Sequence, residues 1–203
     1  MISRLENLSK EQLDRIKTLI GEAFVTNELF HNWGSIEDRR EDVKKYMDLY
    51  VDCVYQSGEL YANENLTGFI GLEDSLKAKK LPQIKMLFKM FTSIEFSKIK
   101  AMLNFVKQIS GSNSRYAKEH HLDTLMVCVD KEHQGKGIAK ELVCFAKDMS
   151  DELGIPLLFD TDMKEYAGMY QHLGCVLYNT VKADNGVIRY SLCYKKQVKN
   201  DEN

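Results

Sequence analysis

The sequence lacks several features that would place it in a special class of protein. Lysine and arginine number 28 against 30 acidic residues, so the net charge of −2 gives no basic excess of the kind typical of nucleic-acid-binding domains. No apolar run approaches the ~18 residues that suggest a membrane span. The first residues, MISRLENLSKEQ, lack the apolar core of a secretory signal. We therefore expect a cytoplasmic protein with no membrane span and no nucleic-acid partner.

Paired cysteines are also missing. The five cysteines are odd in number, and no two have CxxC spacing; they are Cys53, Cys128, Cys144, Cys175 and Cys193. This pattern favours reduced thiols over disulfides or a metal site. The adjacent His120 and His121 would point to opposite faces of a strand, which also argues against a metal centre.

The composition, 44% hydrophobic and 29% charged, is that of a globular chain, and the length predicts one domain over residues 1–203. A short strand at ISRLEN precedes a helix in LSKEQLDRIKTLIGEAF, where Ser9 and Gln12 form a capping-box pattern. SIEDRREDVKKYMDLYVDCVYQ predicts a second helix. GELYANENLTGFIGLED then predicts a hairpin around an Asn-Glu-Asn turn.

The second half alternates between strand and helix signals. A strand at 122–130 leads into a helix at about 136–153, followed by a buried strand at GIPLLFDT and a short helix ending at Gly174. CVLYNTVKA and GVIRYSLCYKK predict a final strand pair, and the polar tail 197–203 is expected to fray. This order predicts an α/β chain with a parallel or mixed sheet.

Between the halves, residues 76–118 predict a helical insert rich in lysine, methionine and phenylalanine. A basic amphipathic helix can lie on a membrane surface. We favour helices packed on the domain, with lysine stems covering apolar surface. Homodimerisation is another use for their apolar face.

Two glycines, Gly135 and Gly137, stand directly before the helix that follows the 122–130 strand. Free N–H groups and the dipole at a helix N-terminus make an anion site, and glycine lets the backbone approach a phosphate. The P-loop pattern does not fit, because Gly137 follows Lys136 where Ser or Thr is needed. The dinucleotide pattern GxGxxG is only half met, since Lys140 occupies its third glycine position. Alone, the two glycines indicate an anion site or simply a tight turn.

The wider stretch VDKEHQGKGIA resembles the acetyl-coenzyme A motif of the GNAT superfamily of N-acetyltransferases. Gln134, Gly137 and Ala139 match it position by position. YAGMYQHLGCVLY is similar to the family's Tyr-x-x-x-Gly-Phe segment, with Cys175 in place of Phe. The resemblance covers residues 120–180. Where the family often has a cofactor-contacting Asn, seven residues before that Tyr, this chain has Met163.

The resemblance implies a mixed, mainly antiparallel sheet of six or seven strands flanked by helices. It also implies acetyl transfer from acetyl-coenzyme A to a primary amine, on a small molecule or a peptide, by direct attack. The strand would bind the pantetheine arm and the loop the pyrophosphate, without a metal. The implied cofactor-binding residues are Val127, Cys128, Val129, Gln134, Gly135, Lys136, Gly137, Ile138, Ala139 and Lys140. A non-catalytic module that senses coenzyme A is the alternative.

Catalytic roles follow from the same resemblance. Tyr170 aligns with the family's general acid, the alternative being a tyrosine that packs the short helix onto the sheet. Glu73 ends the TGFIGLED strand and is a possible base, or merely a solvated strand end. His120 and His121 could titrate near neutral pH, although we expect both to face solvent.

Two further residues could contribute to the site. Cys128 would lie beside the thioester, where we expect a small buried residue rather than a nucleophile. Trp33 could line an acceptor pocket, although a packed loop anchor is the simpler interpretation.

Overall fold

A computed structural model describes residues 1–110, 116 and 118–196 of the chain. The strands are β1 (Ile2–Arg4), β2 (Leu60–Asn63), β3 (Gly68–Asp74), β4 (Leu122–Val129), β5 (Leu157–Thr161), β6 (Val176–Lys182) and β7 (Ile188–Tyr194). The α-helices are α1 (Lys10–Phe24), α2 (Ile36–Ser57), α3 (Lys80–Ser93), α4 (Phe96–Ile109), α5 (Ile138–Leu153) and α6 (Lys164–His172). Every element predicted from the sequence within these residues is confirmed. Residues 111–115 and 117 of the predicted insert, and the tail 197–203 expected to fray, lie outside the described residues.

The helix boundaries follow from local capping chemistry. Ser9 Oγ accepts from the Gln12 N–H at 3.2 Å, and Gln12 Oε1 accepts from the Ser9 N–H at 2.8 Å. This reciprocal pair is the predicted capping box, and such a cap stabilises a helix by about 1 kcal/mol. At the start of α2, Ser35 Oγ accepts from the Asp38 N–H at 3.2 Å, and Gly58 ends the helix in a left-handed conformation.

The seven strands form one sheet in the order β1-β2-β3-β4-β5-β7-β6. Every neighbouring pair is antiparallel except β4 and β5, which are parallel. The predicted mixed, mainly antiparallel sheet is therefore confirmed. Its parallel pair lies at the centre, where the chain crosses from the first half to the second.

A β-bulge interrupts the pairing of β3 with β4. Gly71 faces Met126 and the next pair is Leu72 with Thr124, which leaves Leu125 as an extra residue on β4. The carbonyl of Leu125 accepts from the Tyr50 hydroxyl at 3.0 Å. Bulges bend a strand and increase its twist, so α2 holds β4 at its bend.

The bend coincides with the separation of β4 from β5. These strands pair only at Leu122 with Leu157 and Asp123 with Leu158. Beyond Asp123 the edge of β4 that faces β5 has no strand partner among the described residues. An open backbone edge therefore lies in the middle of the sheet.

Apolar layers cover the two faces of the sheet. One cluster joins α1 and α2 to side chains such as Phe69 and Cys128, and the other joins α5 and α6 to side chains such as Ile70 and Phe159. Trp33 belongs to the first cluster, is 3% exposed, and donates its Nε1–H to the Lys98 carbonyl at 2.9 Å. The interpretation of Trp33 as a packed loop anchor is confirmed.

Candidate active site

The glycine loop connects the open end of β4 to α5. The Asp130 N–H donates to the Thr67 carbonyl at 2.8 Å, and Gln134 Nε2 donates to the Val129 carbonyl at 3.3 Å. Gly135 and Gly137 have φ angles of +76° and +85°, in the left-handed region that favours glycine. The turn therefore requires both glycines. A Cβ added to either would meet no atom within 4 Å, so open space borders the loop.

This space is a cavity of about 380 Å³, which we call the loop cavity. Its walls include Gly135, Gly137, Ile138, Ala139 and Lys140. Gly137 provides no side-chain cap for α5, so the N–H groups of the first helical turn remain available to an anion.

A second cavity of about 460 Å³ lies along β4 and the end of β5; we call it the strand cavity. The residues that line both cavities are Val127, Val129, Gln134, Tyr166 and Tyr170. The two spaces therefore meet where β4 has separated from β5.

Three residues singled out in the sequence lie in different places. Lys136 is exposed and does not line the loop cavity. Cys128 is buried and lines the strand cavity. Met163, in the position of the family's Asn, also lines the strand cavity, and its N–H donates to Thr161 Oγ1 at 3.2 Å.

Tyr170 stands in the wall common to both cavities. It lies on α6, is 6% exposed, and stacks on Phe159 with ring centroids 4.4 Å apart. Burial raises the pKa of the Tyr170 phenol well above its ordinary value, and the neighbouring Tyr166 adds to the shift. The phenol therefore keeps its proton well above neutral pH and can donate it in a hydrogen bond.

The strand cavity carries more negative than positive charge. Three of its lining residues are acidic, Asp123, Asp160 and Asp162, and one is basic, Arg189. Arg189 Nη2 donates to Asp162 Oδ2 at 2.8 Å, and its Nη1 lies 3.9 Å from Asp160 Oδ2. Burial raises the pKa of Asp160, and the Arg189 charge partly offsets this. The excess of carboxylates favours a cationic ligand.

Asp123 forms a pair with a buried histidine. His121 Nε2 lies 3.1 Å from Asp123 Oδ2, and its Nδ1 lies 2.6 Å from the Glu119 carbonyl oxygen. Burial raises the pKa of Asp123, and the His121 charge opposes the shift. Since both ring nitrogens face acceptor oxygens, the pair can hold a proton between carboxyl and imidazole.

The expectation that both histidines face solvent is wrong for His121, which is 7% exposed. The pairing of β3 with β4 and the contact with Asp123 draw its ring inward. His120 is more than a third exposed, and its Nε2 lies 2.8 Å from Asp74 Oδ1.

Glu73, the base candidate from the sequence, pairs across the sheet with Asp123. Its Oε1 accepts from Gln83 Nε2 at 3.3 Å, and it lines neither cavity. Burial and the nearby Asp123 charge raise the pKa of Glu73. Asp123 therefore stands between Glu73 and the strand cavity.

The family comparison agrees with this geometry. The family described as Acetyltransferase (GNAT) domain matches residues 103–174, which contain β4, the glycine loop, α5, β5 and α6. Over this third of the chain, the sequence is that of a GNAT acetyltransferase domain. The chain's seven-stranded mixed sheet flanked by helices is the GNAT fold. No curated protein matches the sequence.

Solved structures that are similar to this chain cover nearly all of it. An agmatine N-acetyltransferase, solved as a mutant in its apo form, is 13% identical, with a TM-score of 0.61, over 97% of this chain and 99% of that one. A Drosophila melanogaster polyamine N-acetyltransferase that forms N-acetylagmatine is 14% identical, with a TM-score of 0.61, over 97% and 99% of the two chains. A histone-acetyltransferase-related acetyltransferase from Corynebacterium glutamicum is 11% identical, with a TM-score of 0.63, over 98% and 97%. At these identities the likeness concerns the fold.

Proposed function

We propose that this protein transfers the acetyl group of acetyl-coenzyme A to a small cationic amine by direct attack. The observation that carries the proposal is the meeting of two cavities at Val127, Val129 and Tyr170. One cavity ends at the uncapped N-terminus of α5, and the other is lined by an excess of carboxylates.

The loop cavity has the features that a pyrophosphate needs. Backbone N–H groups of Ile138, Ala139 and Lys140 would donate to its oxygens, and the glycine loop leaves space for its approach. The open edge of β4 from Val127 to Val129 would bond the pantetheine arm as an added strand does. The thioester would supply the acetyl group where the two cavities meet.

Direct attack by the amine follows from the state of the nearest thiol. Burial raises the pKa of Cys128 to about 12, so almost no thiolate exists at neutral pH. The thiolate is the nucleophilic form of cysteine, and an acetyl-cysteine intermediate is therefore disfavoured. The amine must reach the thioester itself.

An attacking amine must first lose its proton. With a pKa of ~10.4, a lysine-like amine is neutral in about one molecule per thousand near pH 7.4, roughly 4 kcal/mol uphill. We assign the base to Asp123, which lines the strand cavity and pairs with His121. Asp123 precedes Val127 by four residues, roughly 13 Å along a strand. Water in the strand cavity would carry the proton over that distance.

A thiol-release assay with matched amines tests this function. Cadaverine and pentylamine share a five-carbon chain, and only cadaverine has a second cation that can pair with the carboxylates of the strand cavity. We expect kcat/KM to be about ten- to a hundredfold higher for cadaverine, the range for a hydrogen bond to a charged group. Asp160→Asn should reduce that ratio, because it removes one carboxylate from the cavity wall.

The assay also separates enzyme from sensor. Equal rates for the two amines would contradict recognition of a second cation by the carboxylates of the strand cavity. If coenzyme A binds but no amine causes release of its thiol from acetyl-coenzyme A, the result would instead support the sensing module considered from the sequence.

Substitution of Gly137 by alanine tests the pyrophosphate site. We expect coenzyme A to bind about ten- to a hundredfold more weakly, because the added Cβ enters the space bordering the loop and disturbs one or two charge-assisted hydrogen bonds. Isothermal titration of coenzyme A into the variant measures the change.

Gly154→Ala is the matched control, since Gly154 has φ +67°, has the same open surroundings, and lies at the other end of α5. Both variants should lose similar thermal stability, because both place a side chain in the left-handed region. An unchanged affinity in Gly137→Ala would exclude the loop as the phosphate cradle.

A further inference from the structure

Helix α3 exposes the side of its surface that is apolar. Met90 is buried where α3 lies against α2, whereas the opposite side presents large apolar side chains to solvent. We call these side chains the apolar face of α3; they are Leu81, Ile84, Leu87, Phe88, Phe91 and Phe96, the last at the start of α4. Phe88 is 73% exposed and Phe96 is 67% exposed.

The spacing shows that these side chains form one surface. Leu81, Ile84, Phe88 and Phe91 recur at the three- and four-residue intervals of a single helix stripe. The rings of Phe91 and Phe96 have centroids 6.5 Å apart, which joins the stripe to α4. A contiguous exposed apolar surface marks an interaction site. No helix in the described part of the chain has the length and apolarity to cross a bilayer, so this surface would act from outside it.

The charge around the apolar face is strongly positive. Residues 76–110 contain eight lysines and one acidic residue, Glu95, in a chain whose net charge is −2. Lys98 lies 2.6 Å from Asp42, and Lys77 lies 2.9 Å from Asp74. Six others have no carboxylate within 4.0 Å among the described residues; they are Lys79, Lys80, Lys85, Lys89, Lys100 and Lys107. These lysines lie on or next to α3, beside its apolar stripe, or on α4.

We propose that the apolar face of α3 docks onto an anionic lipid surface. Phenylalanine and leucine side chains would enter the acyl boundary while the surrounding lysines contact acidic headgroups. A second copy of the chain fits less well. A two-fold dimer would set this surface against itself, and lysine would then face lysine with only Glu95 available for compensation. The helices do pack on the domain, as the sequence predicted, but the lysine stems leave these apolar side chains uncovered.

Vesicle co-sedimentation with the full chain tests the proposal. We expect the protein to sediment with vesicles of phosphatidylcholine and phosphatidylglycerol, and not with phosphatidylcholine alone. Phe88→Ser combined with Phe91→Ser should abolish binding. Lys80→Glu combined with Lys100→Glu should weaken it at least about twentyfold, at about fivefold for each lysine lost near an anionic surface.

Matched controls lie elsewhere on the surface. Val176→Ser removes an exposed apolar side chain from β6, and Lys10→Glu reverses an exposed charge on α1. Both controls should bind vesicles as the unchanged protein does. Amide circular dichroism and coenzyme A titration on each variant establish that the fold is intact.

Two results would overturn the proposal. One is equal sedimentation with and without phosphatidylglycerol, or none with either. The other is self-association in lipid-free ultracentrifugation that the Phe88 and Phe91 substitutions remove, which would assign the apolar face of α3 to a second copy.

Discussion

Tyr170→Phe should lower kcat by about a hundredfold or more, the usual contribution of a positioned general acid. The phenol lines both cavities, and burial keeps it protonated, so it can give its proton to the departing coenzyme A thiolate. Because phenylalanine preserves the stacking on Phe159, coenzyme A affinity should change little. Steady-state thiol release together with calorimetric binding measures both quantities.

Tyr166→Phe is the control for this result. Tyr166 also lines both cavities, but it is 44% exposed and makes no ring stack in the described structure. We expect its removal to leave kcat within a few-fold of the original. If Tyr166→Phe lost the activity and Tyr170→Phe kept it, the general acid would be Tyr166.

Asp123→Asn should also reduce kcat by about a hundredfold, because it removes the proposed base while keeping the shape of the side chain. The pH dependence identifies the cause. Burial raises the pKa of Asp123, so in the unchanged enzyme the carboxylate is lost, and the rate falls, as the pH drops through that raised value. The asparagine variant should lack this acidic limb. A pH profile of kcat for both proteins provides the measurement.

Glu73→Gln separates the two base candidates. Glu73 pairs with Asp123 across the sheet but lines neither cavity. Its substitution should change kcat little and leave the acidic limb in place. The opposite pattern, with activity lost in Glu73→Gln and kept in Asp123→Asn, would return the role of base to Glu73.

The sequence predicted the elements well because their signals are local. Ser9 and Gln12 define the start of α1, and the 122–130 strand followed by the glycine loop defines the step into α5. Positive φ angles at Gly135 and Gly137 confirm the tight turn, and the anion site at the same loop stays a prediction. Local signals of this kind depend on a few neighbouring residues, and tertiary packing did not override them here.

The acidic cavity could not be predicted in the same way. Asp162 and Arg189 are 27 residues apart and meet only because β5 pairs with β7. The bulge at Leu125 depends on pairing with β3 and on the Tyr50 hydroxyl, so the pattern of β4 alone does not reveal it. One available signal was the pair of acidic residues at the end of LLFDTD, since side chains that follow a buried strand often line a site.

The insert shows a different limit. Its apolar stripe was visible in the sequence, but a stripe does not say which side of a helix meets the domain. In α3, Met90 takes the buried position, and the phenylalanines on the other side are exposed.

The wall that the two cavities share has a kinetic consequence. Two spaces with otherwise different linings meet at the residues that they share, which are Val127, Val129, Gln134, Tyr166 and Tyr170. Under the proposed function, each substrate would occupy its own space while the other is bound, so neither product would have to leave before the second substrate arrives. Catalysis would proceed through a ternary complex, with intersecting rather than parallel lines in double-reciprocal plots.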